Sequence, residues 1–267
     1  MGGFVGPLDG FTSNLIFARS ISRRLLASWT GAWVRVRRAS DNLQEDCTTV
    51  TSILNWCGSS DGFVVTVYDQ SGNGRDITQS VAANQAKIVS GGALVSGINS
   101  LAAMCNHTGG CGYSGSVGAR TPTALSYSFV GIPCLAGGYN GQVGNPSASF
   151  APNGSILLYS PFDTTLQNYT AFGNRGNALT VTAGSPVSAG VILGPSNVTH
   201  YKNGAANTAG AYSPTLNFAD FGLWSAGVPV NGTGTTNATA AEMILWEGTQ
   251  AAALAAIGAE QQTTFNT

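Results

Sequence analysis

The chain has 267 residues with 11 basic and 12 acidic side chains, so charged residues make up 9% where about 25% is usual in a soluble domain. An apolar content of 43% supports a buried core and excludes intrinsic disorder and collagen-like structure, and five cysteines are too few for a disulfide scaffold. A net charge of −1 without a basic patch gives nucleic acid or an anionic membrane no electrostatic handle.

In chain order, residues 1–14 read as an amino-terminal arm and residues 15–267 as a single domain. Leu15 to Ser28 places Leu15, Ile16, Arg19, Ser22 and Leu26 at three-to-four spacing, which predicts a helix ended by Thr30-Gly31. The run AWVRVRR alternates strictly and predicts a half-buried strand with a cationic outer row. Val50 to Trp56 reads as a second helical piece, and FVVTVY as a buried strand. Beyond residue 77, short apolar runs separated by Gly-Gly, Asn-Gly and Ser-Pro turns predict strands at Ala86–Val89, Ala124–Val130, Ser155–Tyr159, Ala178–Val181, Val191–Leu193, Val198–Lys202, Phe218–Trp224 and Ala241–Trp246. Thr249 to Gln262 predicts a carboxy-terminal helix. Short strands at near-regular spacing point to two antiparallel sheets packed face to face.

Residues 1–76 hold seven of the basic and seven of the acidic side chains, leaving the following 191 residues nine charges. A surface so poor in charge is weakly protected against association. Composition leaves two readings open, a member of an assembly or a secreted, glycan-exposed β-protein. Arg19, Arg23 and Arg24 interrupt the one candidate signal-peptide core, and no apolar run is long enough to span a bilayer. Cytosolic synthesis and free thiols are therefore expected, with a Cys105–Cys111 bridge across Asn106–Gly110 left open.

The run SRRLLASWTGAWVRVRRASDN, followed by CGSSDGFVVTVYDQSGNGRDITQ, resembles the amino-terminal signature of the fungal-type α-L-arabinofuranosidase B catalytic domain. Ser40, Asp41, Tyr68, Asp69, Gln70, Ser71, Gly72, Asn73, Gly74, Thr78 and Gln79 stand in matching order. The resemblance implies an all-β, concanavalin-A-like jelly-roll sandwich. It also implies retaining glycosidase chemistry, which needs a nucleophilic and an acid/base carboxylate about 5–5.5 Å apart. The family's nucleophile is a Glu in a mid-domain Cys-Cys loop, and its acid/base is an Asp just after a late strand. Here the only glutamates are Glu45, Glu242, Glu247 and Glu260, and Ser225-Ala226-Gly227 follow the strand Phe218–Trp224. The signature without its carboxylates resembles modules of bacteriophage structural proteins. The expectation is thus a non-enzymatic virion component, a capsid-decoration or tail-attachment protein. It would be made in the host cytoplasm, without cofactor, metal, nucleic acid or membrane insertion, and partnered by other virion proteins, by itself and by a host surface glycan. The alternatives are an arabinofuranosidase-like hydrolase using Asp163 with Asp220, or a lectin-like module.

Other residues have two readings each. Tyr68 to Gly74 is a structural turn, or else Asp69, Asn73 and Asp76 bind calcium. Arg35, Arg37 and Arg38 with Asp41, Glu45 and Asp46 form an ion-paired outer face, or else contact an acidic partner. Cys105, His107 and Cys111 are too loosely spaced for zinc. Trp29, Trp33, Trp56, Trp224 and Trp246 are core aromatics or a sugar-stacking platform.

Overall fold

A computed structural model describes residues 3–95, 98–99, 101, 104–105, 112–132, 139–143, 156–162, 165–170, 173–182, 185–211, 218–224 and 239–267. In chain order the elements are β1 (Leu15–Ser20), β2 (Val34–Arg38), β3 (Gln44–Cys47), α1 (Val50–Cys57), β4 (Gly62–Val67), β5 (Ile77–Thr78), β6 (Lys87–Ser90), β7 (Ala93–Leu94), β8 (Met104–Cys105), β9 (Gly112–Arg120) and β10 (Leu125–Ile132). They continue with β11 (Tyr139–Val143), β12 (Ile156–Phe162), β13 (Thr165–Thr170), β14 (Gly173–Thr180), β15 (Val187–Leu193), β16 (Asn197–Lys202), β17 (Ala205–Ala206), β18 (Gly210–Ala211), β19 (Phe218–Trp224), β20 (Thr239–Glu247) and α2 (Ala251–Phe265).

The strands form a jelly-roll sandwich of antiparallel sheets. One layer runs β1–β20–β10–β15–β16. The other runs β3–β2–β4, passes through β5 to β9, and continues β19–β11–β12–β13–β14. The short strands β6 and β8 join the layers at one side.

The first layer is buried on both faces. Phe17, Tyr127, Phe129, Val191 and Leu245 meet Val34, Val36, Val64, Val67 and Tyr113 of the second layer in the main core. On the opposite face Ala18, Ile192, Ile244 and Trp246 pack with Leu254 and Ile257 of α2 and with Leu8, Leu25 and Leu26. This double burial explains why the first element departs from expectation. Residues 15–20 form a strand in place of the helix expected over 15–28, and the chain beyond Ser20 runs without helix to β2. A short run buried on both sides carries no alternation and matches helical spacing as well as strand spacing. Pairing with β20, from Leu15 opposite Trp246 to Ser20 opposite Glu242, decides the matter.

The two helices lie close to their expected places. Thr49 and Ser52 form a reciprocal cap at the start of α1, where the Ser52 N–H donates to Thr49 Oγ1 at 2.9 Å and the Thr49 N–H to Ser52 Oγ at 3.0 Å. Helix α2 sits on the β16–β17 turn backbone against backbone. A Cβ on Gly258 would stand 2.4 Å from the amide nitrogen of Gly204, itself at φ +82°. In an open helix Gly→Ala gains up to about 1 kcal/mol. Here Gly258→Ala is expected to lose about 1–3 kcal/mol, because α2 must lift from the turn. A higher melting temperature in thermal unfolding would contradict this packing.

Candidate functional site

The Tyr68–Gly74 segment leaves β4 in the second layer and binds the first. Asp69 is buried, and its Oδ1 accepts the N–H groups of Ala18 (2.9 Å) and Ser71 (3.0 Å). Its Oδ2 accepts the Ser71 hydroxyl (2.8 Å) and the Arg75 N–H (3.1 Å). Gln70 accepts the Leu25 N–H at 2.7 Å and donates its amide to the carbonyls of Ser20 and Arg23. Asn73 donates to the carbonyls of Leu15 and Ile16. These side chains clasp the two layers together and present no open oxygen cage. Among the described residues no cluster of three His, Cys, Asp or Glu could hold a metal.

Tyr68 donates its hydroxyl to Asp46 at 2.6 Å, and burial together with that carboxylate pushes its ionisation up. Arg35 grips Asp46 with two bonds at 2.8 and 2.9 Å, and Arg38 pairs with Asp41. Arg37 instead bonds Gln85 and Asn42. The cationic row is thus satisfied largely within the fold.

A second charged group lies beneath α2. Glu242 on β20 is fully buried and takes Arg23 Nε at 2.5 Å and Nη2 at 3.1 Å. The same guanidinium binds Glu260 of α2, with Nη2 at 2.6 Å. Gln261 donates to Glu242 and accepts the hydroxyls of Ser128 and Ser188. Two carboxylates therefore share one cation, with the guanidinium standing where a sugar would have to go, so they are no hydrolytic pair. Burial pushes the Glu260 carboxyl up, but the hydrogen bonds from Arg23 and Thr264 outweigh it and hold it below its ordinary value.

Beside this group a cleft of about 730 Å³ opens, walled by Phe4, Arg24, Trp29, Trp33, Thr49 and Glu260 among others. The remaining tryptophans divide. Trp246 is core and donates its indole N–H to Phe11 O at 2.8 Å, whereas Trp56 lies under the Arg38 guanidinium at 4.2 Å. Trp224 ends β19, where its backbone alone is described. Cys47 and Cys57 are free thiols. Cys105 lies on β8, while Cys111 and His107 fall outside the described residues, as does Asp163.

Gln142 of β11 faces Trp224 on one side and Leu157 on the other. Asp220 lies four residues from that rung, and Phe162 lies five residues from it in the opposite sense. At about 3.3 Å per residue Asp220 and Phe162 stand roughly 30 Å apart along the strands. Asp76 lies nearer. Asp220 pairs with Ser116 of β9, and the adjacent Gly115 approaches the Asp76 carbonyl so closely that a Cβ there would meet it at 1.9 Å. Asp76 and Asp220 thus flank the same two residues of β9. No signal in the sequence joins these two aspartates, one just before β5 and one on β19, with 143 residues between them.

The jelly roll with its amino-terminal clasp resembles the catalytic sandwich of the arabinofuranosidases. Residues 12–112 match the family described as alpha-L-arabinofuranosidase B, catalytic. Alpha-L-arabinofuranosidase B of Emericella nidulans is 34% identical over 88 residues, covering 28% of this chain and 17% of that protein. A GH54 α-L-arabinofuranosidase soaked with a cyclic sulfate inhibitor shares the fold at TM-score 0.72 and 17% identity, over 96% of this chain and 65% of the other. An arabinofuranosidase complexed with arabinofuranosyl-α-1,2-xylobiose does so at 0.70 and 18%, with the same coverage. The chain therefore spans less than two thirds of the length of each of these relatives.

These matches correct two expectations. The chain was expected to be a non-enzymatic virion component, but its relatives are sugar hydrolases and no finding points to a virus particle. The expectation rested on missing carboxylates at the family's positions along the chain, an argument blind to acidic side chains brought together from elsewhere.

Removing Glu242 leaves Arg23 half-compensated under α2, so Glu242→Ala is expected to cost about 3–5 kcal/mol in denaturant unfolding. The depressed Glu260 carboxyl stabilises the fold above the unfolded glutamate value, about 4.3, and this contribution fades as pH falls through its folded value. Glu260→Gln should therefore flatten the acid limb of a melting-temperature profile, leaving less difference from wild type below about pH 4 than at neutrality.

Proposed function

We propose that the chain is an arabinofuranosidase-type glycoside hydrolase acting on glycans that bear α-L-arabinofuranosyl groups. The observation that carries this reading is the match of residues 12–112, a stretch containing the Tyr68–Gly74 clasp, to the arabinofuranosidase B catalytic family. The shared sandwich over 96% of the chain supports it.

Hydrolysis of a glycosidic bond needs one carboxyl to protonate the leaving oxygen and a second to attack, or to activate water, at the anomeric carbon. Every described carboxylate except Glu45 and Asp76 has both oxygens bonded or is held by a cation. Glu45 lies on the polar strand β3, away from β19. Among the described residues Asp76 uses Oδ1 alone, which accepts the Asp69 N–H at 2.7 Å. We assign the acidic pair to Asp76 and Asp220 across β9.

The test is release of 4-nitrophenol from 4-nitrophenyl α-L-arabinofuranoside. Asp220→Asn and Asp76→Asn should each lower kcat by on the order of 10²–10⁴. Asp76→Asn keeps a carbonyl oxygen for the Asp69 N–H, so its fold should survive. Absence of turnover by the wild-type chain, or full turnover by Asp220→Asn, would refute the assignment.

A further inference from the structure

The cleft beside α2 is built apart from the β9 aspartates, and neither Asp76 nor Asp220 contributes to its described wall. Its two arginines differ. Arg23 is neutralised by Glu242 and Glu260, so the one carboxylate among the described lining residues is already answered. Arg24 has no ion pair among the described residues. Its guanidinium lies 3.9 Å over the Phe4 ring and makes one long bond, 3.5 Å, to the Trp29 carbonyl. The neighbouring Trp29 indole is held in place. Its N–H donates to Ala32 O at 3.1 Å, and the ring folds so tightly over Gly31 that a Cβ there would stand 2.7 Å from Cζ2. Phe4 is 48% exposed and extends the aromatic wall to the cleft mouth.

A fixed indole, an exposed phenyl ring and an unanswered cation form a recognition set for a sugar ring that carries a negative charge. Ring C–H groups stack on the aromatic faces, and a carboxylate takes the planar guanidinium. We propose that this cleft binds a uronic-acid-containing oligosaccharide, with the pyranose ring against Trp29 and the carboxylate on Arg24. Such a site would hold an acidic glycan chain while hydrolysis proceeds elsewhere, and it stands whether or not the β9 aspartates are catalytic.

The experiment is calorimetric titration of the full chain with tri-galacturonate and with neutral xylotriose. Saturable binding of tri-galacturonate is expected, weakening as salt rises, with xylotriose bound at least about tenfold more weakly. Arg24→Met keeps the stem and removes the charge, and should reduce acidic affinity about tenfold while leaving arabinofuranoside turnover unchanged. Gly31→Ala, which displaces the indole, should weaken both sugars. Equal affinity for the two trisaccharides, unchanged binding by Arg24→Met, or no saturable binding by the wild type would each overturn the proposal. Loss of turnover alone would count against the β9 assignment only.

Discussion

The Asp69 carboxylate is the point on which the two layers depend. It follows β4 in one layer and accepts the Ala18 amide of β1 in the other, while its second oxygen closes the turn through Ser71 and Arg75. A carboxylate with four accepted bonds is compensated despite its burial, since hydrogen bonds to the charged form replace the lost water. Gln70 extends the same attachment to the segment after β1. The irregular chain from Ile21 to Trp33 is therefore positioned without secondary structure of its own. That chain carries Arg23, Arg24 and Trp29, so the charged layer under α2 and the cleft beside it both depend on the clasp.

How far the sequence reveals this arrangement differs by region. Strands such as Phe218–Trp224 and Val34–Arg38 were legible because their lengths and turn residues are conventional. The β1 strand was not, because burial on both faces erases the period-two signal. The glycine- and serine-rich β9 and the polar edge strand β3 carry no apolar periodicity at all. Ser126, Ser128 and Ser188 put small polar side chains on one face of β10 and β15. That face is covered by α2, with Gln261 accepting hydroxyls from Ser128 and Ser188. The candidate site was legible in part. The clasp residues stand out as a contiguous motif, whereas the placing of Asp76 and Asp220 on either side of β9 comes from strand pairing alone.

The functional correction has the same origin. Searching for glutamate and aspartate at the family's places along the chain asks a one-dimensional question of a chemistry that depends on distance. A β-sandwich brings distant segments side by side about every 4.8 Å, so acidic groups from different strands can meet. Two of the nine charges beyond residue 76, Glu242 and Glu260, meet Arg23, where they join helix to sheet.

Strand β20 belongs to two interiors at once. Met243 and Leu245 enter the core between the sheets, while Glu242, Ile244 and Trp246 enter the layer beneath α2 and the arm. A helical cover attached to a sheet often behaves as a separable lid, but here one backbone ladder holds both compartments in register. Detaching the cover would leave Ile244 and Trp246 wet and a charged carboxyl unanswered, so the loss is felt on both sides of the strand. Sandwich and cover are consequently one cooperative unit, and the amides of α2 should exchange with solvent no faster than whole-molecule opening allows.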